Sequence, residues 1–496
     1  MESDRRLHPL SFVFAIQDSA KQFLFPAIVA LFATRSRDAW ELWAAVFVVP
    51  LAIVALGRAL SFRYRFDATE LVIRSGFIFR RVRHIPYDRV QNVDAVQNVL
   101  HRLLGVIQVK VETGGGTETE AVMRVVSRDA LDEIRARVFA ERAAAPEPVD
   151  TPKPPEVLLA IPAREVFLFG LVHGRGMIVL GALIGGFWEF GIIDRAGGSF
   201  FSDSQPGRGV VRQVVRGVFE DGVLPLQQVF LTFAGLVVLL AVLRLVSALW
   251  TSLTYYGFRL TRSGDDLRCE YGLLTRVAST IPVRRIQKLT IREGPWHRLA
   301  ERVSVGVQTA GGKVEDGGES TRSWLAPLVR RSALPHLLER IVPEATSSMD
   351  WQPVHPRGVR REFVGAMIFW IPASAALTFA IGWWSLVFLA VGAAWSYFSA
   401  RKSVAALRWA TASETVQFAS GWIWRNRLVA PLTKVQVVSR RQSPFDRCHG
   451  MATVSADTAG RAHEGYAIRI PYLAAPVAAA LAERLSAAAA RTAFRW

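Results

Sequence analysis

The sequence is poor in the residues that build disulfide frameworks and metal centres. It has 2 cysteines in 496 residues, Cys269 and Cys448, and they do not form a CxxC pair. Its 9 histidines are scattered rather than grouped at ligand spacing. The HExxH and GxSxG motifs and the nucleotide-binding fingerprints are also missing. These absences argue against a zinc module, a disulfide-rich secreted domain and the common hydrolases, and they predict a protein that is not an enzyme and binds no cofactor.

Acidic residues are outnumbered by basic ones. The chain has 60 Lys and Arg against 42 Asp and Glu, a net charge of +18. Such an excess indicates an anionic partner or the cationic bias of cytoplasmic segments in a membrane protein. Hydrophobic residues make up 51% of the chain, which favours membrane segments. The basic residues lie beside apolar runs and not in a patch interleaved with aromatic residues, so the sequence predicts a lipid bilayer and no nucleic acid as partner.

A stretch of about fifty residues occurs three times with fixed internal spacing, which identifies an internal triplication. Its anchors are a glycine, a proline and a glutamine, in the order Gly76, Pro86 and Gln91, then Gly272, Pro282 and Gln287, then Gly421, Pro431 and Gln436. One cation precedes each glutamine by two positions and an arginine follows it at a constant distance, namely Arg89 and Arg102, Arg285 and Arg298, and Lys434 and Arg447. The glycines are predicted to be turn residues and the prolines to end strands.

Apolar runs long enough to cross a bilayer alternate with the repeated modules. The predicted order is a lead-in and hairpin at 1–61, a module at 62–141, a Pro-rich linker at 142–160, a hairpin with a polar loop (194–222) at 161–253, a module at 254–342, a linker at 343–360, a hairpin at 361–402 and a module at 403–496. Six spans in three hairpins place all modules on one side. Cations flank the module side, so the positive-inside rule places the modules and both termini in the cytoplasm.

Within a module, apolar residues follow the period of strands and then of a helix. Ile107, Val109 and Val111 alternate with polar residues, as in a half-buried strand, and the segment 128–140 has one apolar helical face. This pattern predicts a small, bent sheet closed by a helix.

The spaced residues resemble a known family. The series Gly76, Ile85-Pro86, Arg89-Val90-Gln91, Leu103-Leu104-Gly105 and Thr113-Gly114-Gly115 resembles the pleckstrin-homology-like (PH-like) domain of bacterial YdbS/YdbT-type membrane proteins. The resemblance covers nearly the whole chain, and the third copy departs from it most, with Ala430 before its proline and Lys434 in place of arginine. It implies a seven-stranded, partly open β-barrel capped by a C-terminal helix, in a multi-pass protein of the bacterial inner membrane. It implies little about activity, since PH folds serve many tasks.

Several cations are candidates for contact with anionic headgroups or a partner protein: Arg63, Arg65, Arg89, Arg102, Arg285, Arg298, Lys434 and Arg447. Each cation placed two residues before a glutamine is predicted to share a strand face with it, which fits either a structural polar pair or a ligand site. The arginine that follows each glutamine fits either a loop that faces headgroups or a side chain that caps the loop.

The sequence therefore predicts a membrane protein of mixed α and β class, with three repeats of a transmembrane hairpin followed by a PH-like module. The predicted function is a non-catalytic scaffold or regulator whose cytoplasmic modules bind anionic lipid or partner proteins, in envelope maintenance or stress response. A rival hypothesis is that modules pair with each other, or with another membrane protein, through sheet edges or grooves. A third is a component of an exporter of lipid or antimicrobial compound, which predicts charges clustered in mid-span.

Overall fold

The structure is a computed structural model, and it divides into two compact units. It describes residues 5–6, 57, 61–76, 80–87, 90–113, 121–126, 133, 156–173, 226–309, 324–345, 349–458 and 468–491. One unit holds Met1–Ala160, Arg259–Glu270 and Leu274–Trp496, and the other holds Ile161–Phe258 and Tyr271–Leu273.

Each repeat contributes four strands and then three more. The first repeat has β1 (Arg5–Arg6), β2 (Arg63–Phe66), β3 (Glu70–Ser75), β4 (Arg81–Pro86), β5 (Val90–Gln97), β6 (Ile107–Thr113) and β7 (Ala121–Val126). The second has β8 (Glu156–Ala160), β9 (Arg259–Ser263), β10 (Asp266–Tyr271), β11 (Arg276–Pro282), β12 (Ile286–Glu293), β13 (Arg302–Thr309) and β14 (Trp324–Arg330). The third has β15 (Gln352–Pro353), β16 (Arg408–Thr411), β17 (Thr415–Ser420), β18 (Arg425–Pro431), β19 (Val435–Arg441), β20 (Met451–Thr458) and β21 (Ile468–Ala474).

The described helices fall into three kinds: short helices after the fifth strand of a repeat, C-terminal helices of the modules, and helices of the apolar segments. In chain order they are α1 (Val99–Leu103), α2 (Ala163–His173), α3 (Leu226–Tyr255), α4 (Pro295–Leu299), α5 (Leu334–Ile341), α6 (Gly358–Ile381), α7 (Trp384–Ala406), α8 (Pro444–Cys448) and α9 (Ala475–Arg491). The C-terminal helix implied by the family resemblance is α5 in the second repeat and α9 in the third. In the first repeat it lies outside the described residues, apart from Glu133.

The sheets are shared between neighbouring repeats. One sheet has the strand order β7-β6-β5-β11-β10-β9-β8, and a second has the order β14-β13-β12-β18-β17-β16-β15. In both, three strands of one repeat are hydrogen-bonded to four strands of the next, through the pairs β5–β11 and β12–β18. The outer strands β1-β2-β3-β4 and β19-β20-β21 form sheets of their own. Strand pairing between modules, one of the hypotheses from the sequence, is therefore a feature of the fold.

The first and third repeats nevertheless each have a hydrophobic core of their own. In the first repeat, Phe66 and Ile85 from the first four strands lie in one cluster with Val109 and Val126 from the last three. The core of the third repeat likewise joins both sets of strands and adds leucines from α9, with members that include Trp409, Val416, Val454, Ile470, Leu481 and Leu485. Each fully buried side chain of this kind stabilises the fold by about 1.5–3 kcal/mol. A repeat is thus held together by apolar packing and is joined to its neighbours by backbone hydrogen bonds.

Each repeat begins with a short strand that pairs with the second strand of the repeat, although a long stretch of sequence separates the two. β1 pairs with β2, β8 with β9 and β15 with β16, all antiparallel. In the third repeat Gln352 lies opposite Trp409, so the chain leaves the sheet, forms α6 and α7, and returns beside its starting point. Residues 352 and 353, within the predicted linker at 343–360, therefore form an edge strand of this sheet. A strand of two residues is too short to show an alternating pattern, which is why the sequence did not indicate it.

Helices α6 and α7 pack through small residues. A Cβ on Gly392 would stand 2.5 Å from Cδ2 of Trp370, so glycine alone admits the indole ring. Near the turn, Ser374 Oγ donates to the backbone O of Ser385 at 2.7 Å. Close packing and hydroxyl bonds of this type hold helices together in lipid, where no hydrophobic force joins them. The buried side of α7 carries mainly small residues at four-residue spacing, among them Gly392, Ser396 and Ala400.

The second unit contains α2 and α3 in close contact. A Cβ on Gly170 of α2 would stand 2.5 Å from Cα of Ala248 on α3. Arg244 of α3 donates from Nε to the backbone O of Leu171 at 2.7 Å and from Nη2 to that of Val172 at 3.4 Å. These carbonyls belong to the last described residues of α2. The arginine thus joins α3 to α2 through hydrogen bonds from a charged side chain.

Two helices in the described part of the chain are long and apolar enough to cross a membrane. They are Val237–Tyr255 within α3 and Gly358–Phe379 within α6, at the positions of the fourth and fifth predicted spans. Helix α7 occupies the position of the sixth. The predicted spans at 23–34, 39–60 and 177–193 and the loop at 194–222 lie outside the described residues, apart from Gly57. The arrangement of three hairpins stays a prediction.

Candidate functional site

The junction between the second and third repeats is built around a nearly buried carboxylate. Glu293 of β12 lies opposite Arg425 of β18, and it is 9% exposed. Its Oε1 accepts from Nη1 of Arg331 at 3.3 Å, and its Oε2 lies 3.7 Å from Nη1 of Arg425. Because a buried carboxylate is costly unless it is paired, these two guanidinium groups favour this register over its neighbours.

Arg298 holds the incoming hairpin of the third repeat. It lies in α4 and donates from Nη2 to the backbone O of Ile423 at 3.1 Å and from Nη1 to that of Trp422 at 3.4 Å. Both acceptors lie in the turn between β17 and β18. In the same turn, Trp424 packs so closely on Gly294 that a Cβ there would approach its Cδ1 at 3.1 Å. Of the two interpretations open for Arg298, the structure supports the capping one, and the capped loop belongs to the next repeat.

The junction between the first and second repeats has the same strand pairing and a different polar contact. β5 and β11 run antiparallel, with Gln97 opposite Arg276. Ser279 Oγ donates to Oδ1 of Asp94 at 3.0 Å, and the two side chains are 2% and 4% exposed. A buried carboxylate needs donors of this kind, so the contact ties the two repeats together.

A buried polar network joins the third repeat to the segment before it. Gln417 Nε2 donates to the backbone O of Ala345 at 3.1 Å, and its Oε1 accepts from Nε of Arg427 at 2.8 Å. The Arg427 guanidinium lies 5.3 Å from the ring centre of Trp351, and burial lowers the pKa of Arg427 from its usual value. The sequence analysis missed this network. A glutamine at an inward position of an apolar strand is the signal that points to it.

Cations gather where α6 and α7 join the third module. We call them the basic band: Arg357, Arg360, Arg361, Arg401, Lys402 and Arg408. Two of them serve the fold, since Arg357 Nη1 donates to the backbone O of His449 at 3.0 Å and Arg361 lies 4.0 Å from Asp446 and 5.1 Å from the ring centre of Phe445. The remaining four are exposed: Arg360, Arg401, Lys402 and Arg408. Cations at this end of an apolar hairpin lie at the level of headgroups when the hairpin crosses a bilayer.

The other predicted contact residues have different surroundings in the structure. Arg65 forms a salt bridge with Asp67 of its own turn, at 2.7 Å between Nη2 and Oδ2. Three of the predicted residues have exposed side chains: Arg63, Arg102 and Arg447. Arg89 lies outside the described residues. Their contact with anionic headgroups or a partner protein stays a prediction.

Arg285 and Lys434 lie in turns and not on strands. Each ends a 3-10 turn, Val283–Arg285 or Leu432–Lys434, directly before β12 or β19. The prediction that each shares a strand face with its glutamine is therefore wrong, because the preceding strand ends at the proline and the chain turns before it extends again. Burial, and then the charge of Arg284, lower the pKa of Lys434 from its usual value.

The repeated glycines and prolines have local geometric roles. The three glycines have left-handed backbone angles, φ of +105° at Gly76, +110° at Gly272 and +83° at Gly421. At Gly421 a Cβ would stand 1.8 Å from the backbone O of Trp424, so the turn admits glycine alone. The prolines are the last residues of β4, β11 and β18, namely Pro86, Pro282 and Pro431.

The three glutamines differ in their surroundings. Gln287 is 5% exposed, and its Nε2 donates to the backbone O of Arg285 at 3.4 Å. Gln436, at the same position of the third repeat, is exposed. The side chain of Gln91 lies outside the described residues. The same residue is thus buried in the second repeat and exposed in the third.

The mid-span charges expected of an exporter do not form a cluster in helices α3, α6 and α7. Away from the ends of these three helices, the charged side chain is Arg244. It is engaged by carbonyls of α2. Within these three described helices, the charged side chain in mid-helix, Arg244, is therefore hydrogen-bonded to backbone carbonyls of α2.

Comparison with known proteins finds a match to one family in each of the three repeats. The bacterial PH domain family matches the chain over residues 22–142, 218–338 and 365–489. The UPF0699 transmembrane protein YdbT of Bacillus subtilis (strain 168) is 22% identical over 488 residues, which cover 93% of this chain and 94% of that protein. No solved structure matches the chain. Each family match contains one copy of the repeated glycine, proline and glutamine.

Proposed function

We propose a function from one premise: this chain belongs to the bacterial PH domain family. The protein is a non-catalytic, multi-pass scaffold of the bacterial inner membrane, with its three modules and both termini in the cytoplasm. The modules lie against the lipid surface and bind anionic headgroups through the exposed part of the basic band. Envelope maintenance or stress response is the setting in which such a scaffold acts.

The pairing of β15 with β16 across the helical hairpin is the observation that carries the proposal. Helix α7 ends at Ala406, directly before β16. On the other side, between β15 and α6, the backbone N of His355 donates to the O of Tyr472 at 2.7 Å, and a Cβ on Gly358 would meet the Tyr472 ring at 2.9 Å. The connections from α7 to β16 and from β15 to α6 are therefore short and fixed to the module. A module fastened at both feet of a membrane hairpin stays at the headgroup layer.

The charge of the basic band determines which lipids the third module binds. A Lys or Arg near an anionic surface contributes about 1 kcal/mol of attraction. The exposed members of the basic band are set at the level of the headgroups, while Arg357 and Arg361 are engaged with the third module. The band therefore favours lipids such as phosphatidylglycerol over neutral ones.

The test uses the full chain and counts the lipids that it retains. The variant Arg401→Gln/Lys402→Gln/Arg408→Gln and the wild type are purified in mild detergent, and retained phosphatidylglycerol is measured by native mass spectrometry at low and high salt. The matched control is Arg330→Gln/Arg469→Gln/Arg491→Gln, which makes the same change in net charge on exposed residues outside the band. We expect the band variant to lose anionic lipid and salt dependence and the control to keep both.

Two results would count against the proposal. Equal lipid loss in both variants would show that the net charge acts and the band does not. No loss in either would show that the band does not bind lipid. A protein that copurifies with the wild type and is lost with the band variant, while the lipid count is unchanged, would favour the partner-protein form of the hypothesis.

A further inference from the structure

Among the described residues, the third repeat has an unpaired strand edge. The equivalent edges of the first and second repeats are paired. The fifth strand of the first repeat is paired with β11, and that of the second with β18. The fifth strand of the third repeat, β19, pairs with β20, and no other strand joins it in the part of the chain that the structure describes. At the opposite end, β4 is the last strand in the order of the first sheet. The two terminal strands are the counterparts of those that meet at both internal junctions.

Several side chains on the unpaired strands β19 and β4 are exposed. Gln287 on β12 is 5% exposed, whereas Gln436 at the same position of β19 is exposed. Val437 on β19 is 58% exposed and Val82 on β4 is 51% exposed. An apolar residue left open on a strand edge is typical of an edge that pairs with another chain.

Arg447 is the second, independent observation. It stands at the position of Arg298, which donates to the turn carbonyls of Trp422 and Ile423 in the following repeat. At the equivalent position of the third repeat, the Arg447 side chain is exposed. Among the described residues, no turn carbonyl accepts a hydrogen bond from it, so the donor of the internal junction is repeated here without its acceptors.

We propose that β19 pairs antiparallel with β4 of a second copy of this chain. Continuing the register of β12 and β18 places Arg440 opposite Val82 and Gln442 opposite Arg80. The second of these pairs repeats a pattern, since Gln97 faces Arg276 and Glu293 faces Arg425 at the internal junctions. Arg447 is then placed at the end of β4 that lies nearest to Gly76 of the second copy, where the φ of +105° marks a turn.

This contact is head-to-tail and leaves a free end on each copy. Heterologous contacts of this kind build a ring when they close and a row when they do not. Continuing the same register also sets Arg441 opposite Arg81, and like charges in direct opposition weaken a strand pair. Salt therefore strengthens the association of copies, whereas it weakens binding to anionic lipid. The opposite response to salt separates this proposal from the proposed function.

The test is disulfide cross-linking between two differently tagged full-length chains in native membranes. Both chains carry Cys448→Ser, which removes the exposed thiol and leaves Cys269 buried. One chain carries Arg440→Cys and the other Val82→Cys. Directly opposed residues have Cα atoms about 4.5–5.5 Å apart, which lies within the range that a disulfide spans. We expect a cross-linked band that carries both tags, stronger at higher salt.

The matched control replaces Arg440→Cys by Arg469→Cys, an exposed arginine on β21 of the same sheet, and we expect no mixed-tag band from it. Adding Arg447→Met to the Arg440→Cys chain should lower the mixed-tag yield about 5- to 30-fold, the factor that corresponds to 1–2 kcal/mol. Two results would overturn the proposal: no mixed-tag band, or a band of equal strength in the control. A band to a different protein without a mixed-tag band would assign the edge to that partner instead.

Discussion

Replacing Arg298 with methionine tests whether the repeats are joined as the structure shows. Methionine keeps the apolar stem of the side chain and removes the guanidinium. The turn carbonyls of Trp422 and Ile423 then lose the donors at 3.4 and 3.1 Å. The strand pair β12–β18 keeps its backbone bonds, so the variant weakens one contact of the junction without removing the rest.

The size of the effect follows from the two hydrogen bonds. A hydrogen bond from a charged group contributes about 1.5–3 kcal/mol net. The longer bond, at 3.4 Å, contributes little. Because Arg298 is half-buried, water replaces part of the hydrogen bonding that the substitution removes. We therefore expect the junction to lose about 1–2 kcal/mol, which raises the population of its open form about 5- to 30-fold.

Hydrogen–deuterium exchange of the full chain in nanodiscs measures this opening. Amides of the β17–β18 hairpin, residues 415–431, should exchange faster by the same factor in Arg298→Met. The matched control is Arg447→Met, which makes the same change at the equivalent exposed position of the third repeat and should leave exchange within twofold of the wild type. Equal exchange in the two variants, or no acceleration in Arg298→Met, would refute the reasoning.

The remaining predictions concern one turn and two thiols. Gly421→Ala should destabilise the third repeat by about 2 kcal/mol or more in chemical denaturation, because its φ is +83° and a Cβ would meet the O of Trp424, whereas Gly450→Ala, at φ +66° with open space around it, should cost about 1–2 kcal/mol. A membrane-impermeant maleimide should label the exposed Cys448 in inside-out vesicles and not in right-side-out ones, and labelling from the other side would refute the cytoplasmic placement. Burial raises the pKa of Cys269 to about 12 from an ordinary 9.0, so the stability it contributes is complete below pH 9 and is lost as the pH rises towards 12. Cys269→Ala should reduce that alkaline loss in tryptophan fluorescence, and an unchanged profile would contradict it.

The fold of a single repeat was predictable from the spacing of a few residues. Turn glycines such as Gly76 and strand-ending prolines such as Pro86 encode local geometry, and local geometry is readable from sequence. Which strand pairs with which was not predictable in this way. The alternation of apolar residues in β5 is the same whether its neighbour is β4 of its own repeat or β11 of the next, because backbone hydrogen bonds make the pairing.

The candidate site was predictable only in part, for a related reason. The spacing singled out Arg298 and left two roles open for it, since its acceptors are backbone carbonyls and these leave no mark in the sequence. The interpretation of Arg285 as a strand residue was wrong because a 3-10 turn after Pro282 interrupts the extended chain. The partners of Glu293 come from two distant elements, so that no local pattern indicates them.

The pairing of β15 with β16 has a consequence for the order in which the protein is made. The ribosome delivers β15 first, then the two helices, and β16 last. The sheet of the third module therefore cannot be completed until α6 and α7, which lie between these two strands, have been synthesised. Pairing of β15 with β16 also requires that the two helices bring both strands to the same place. The order of strands along the chain thus couples the completion of the sheet to the formation of the helical pair.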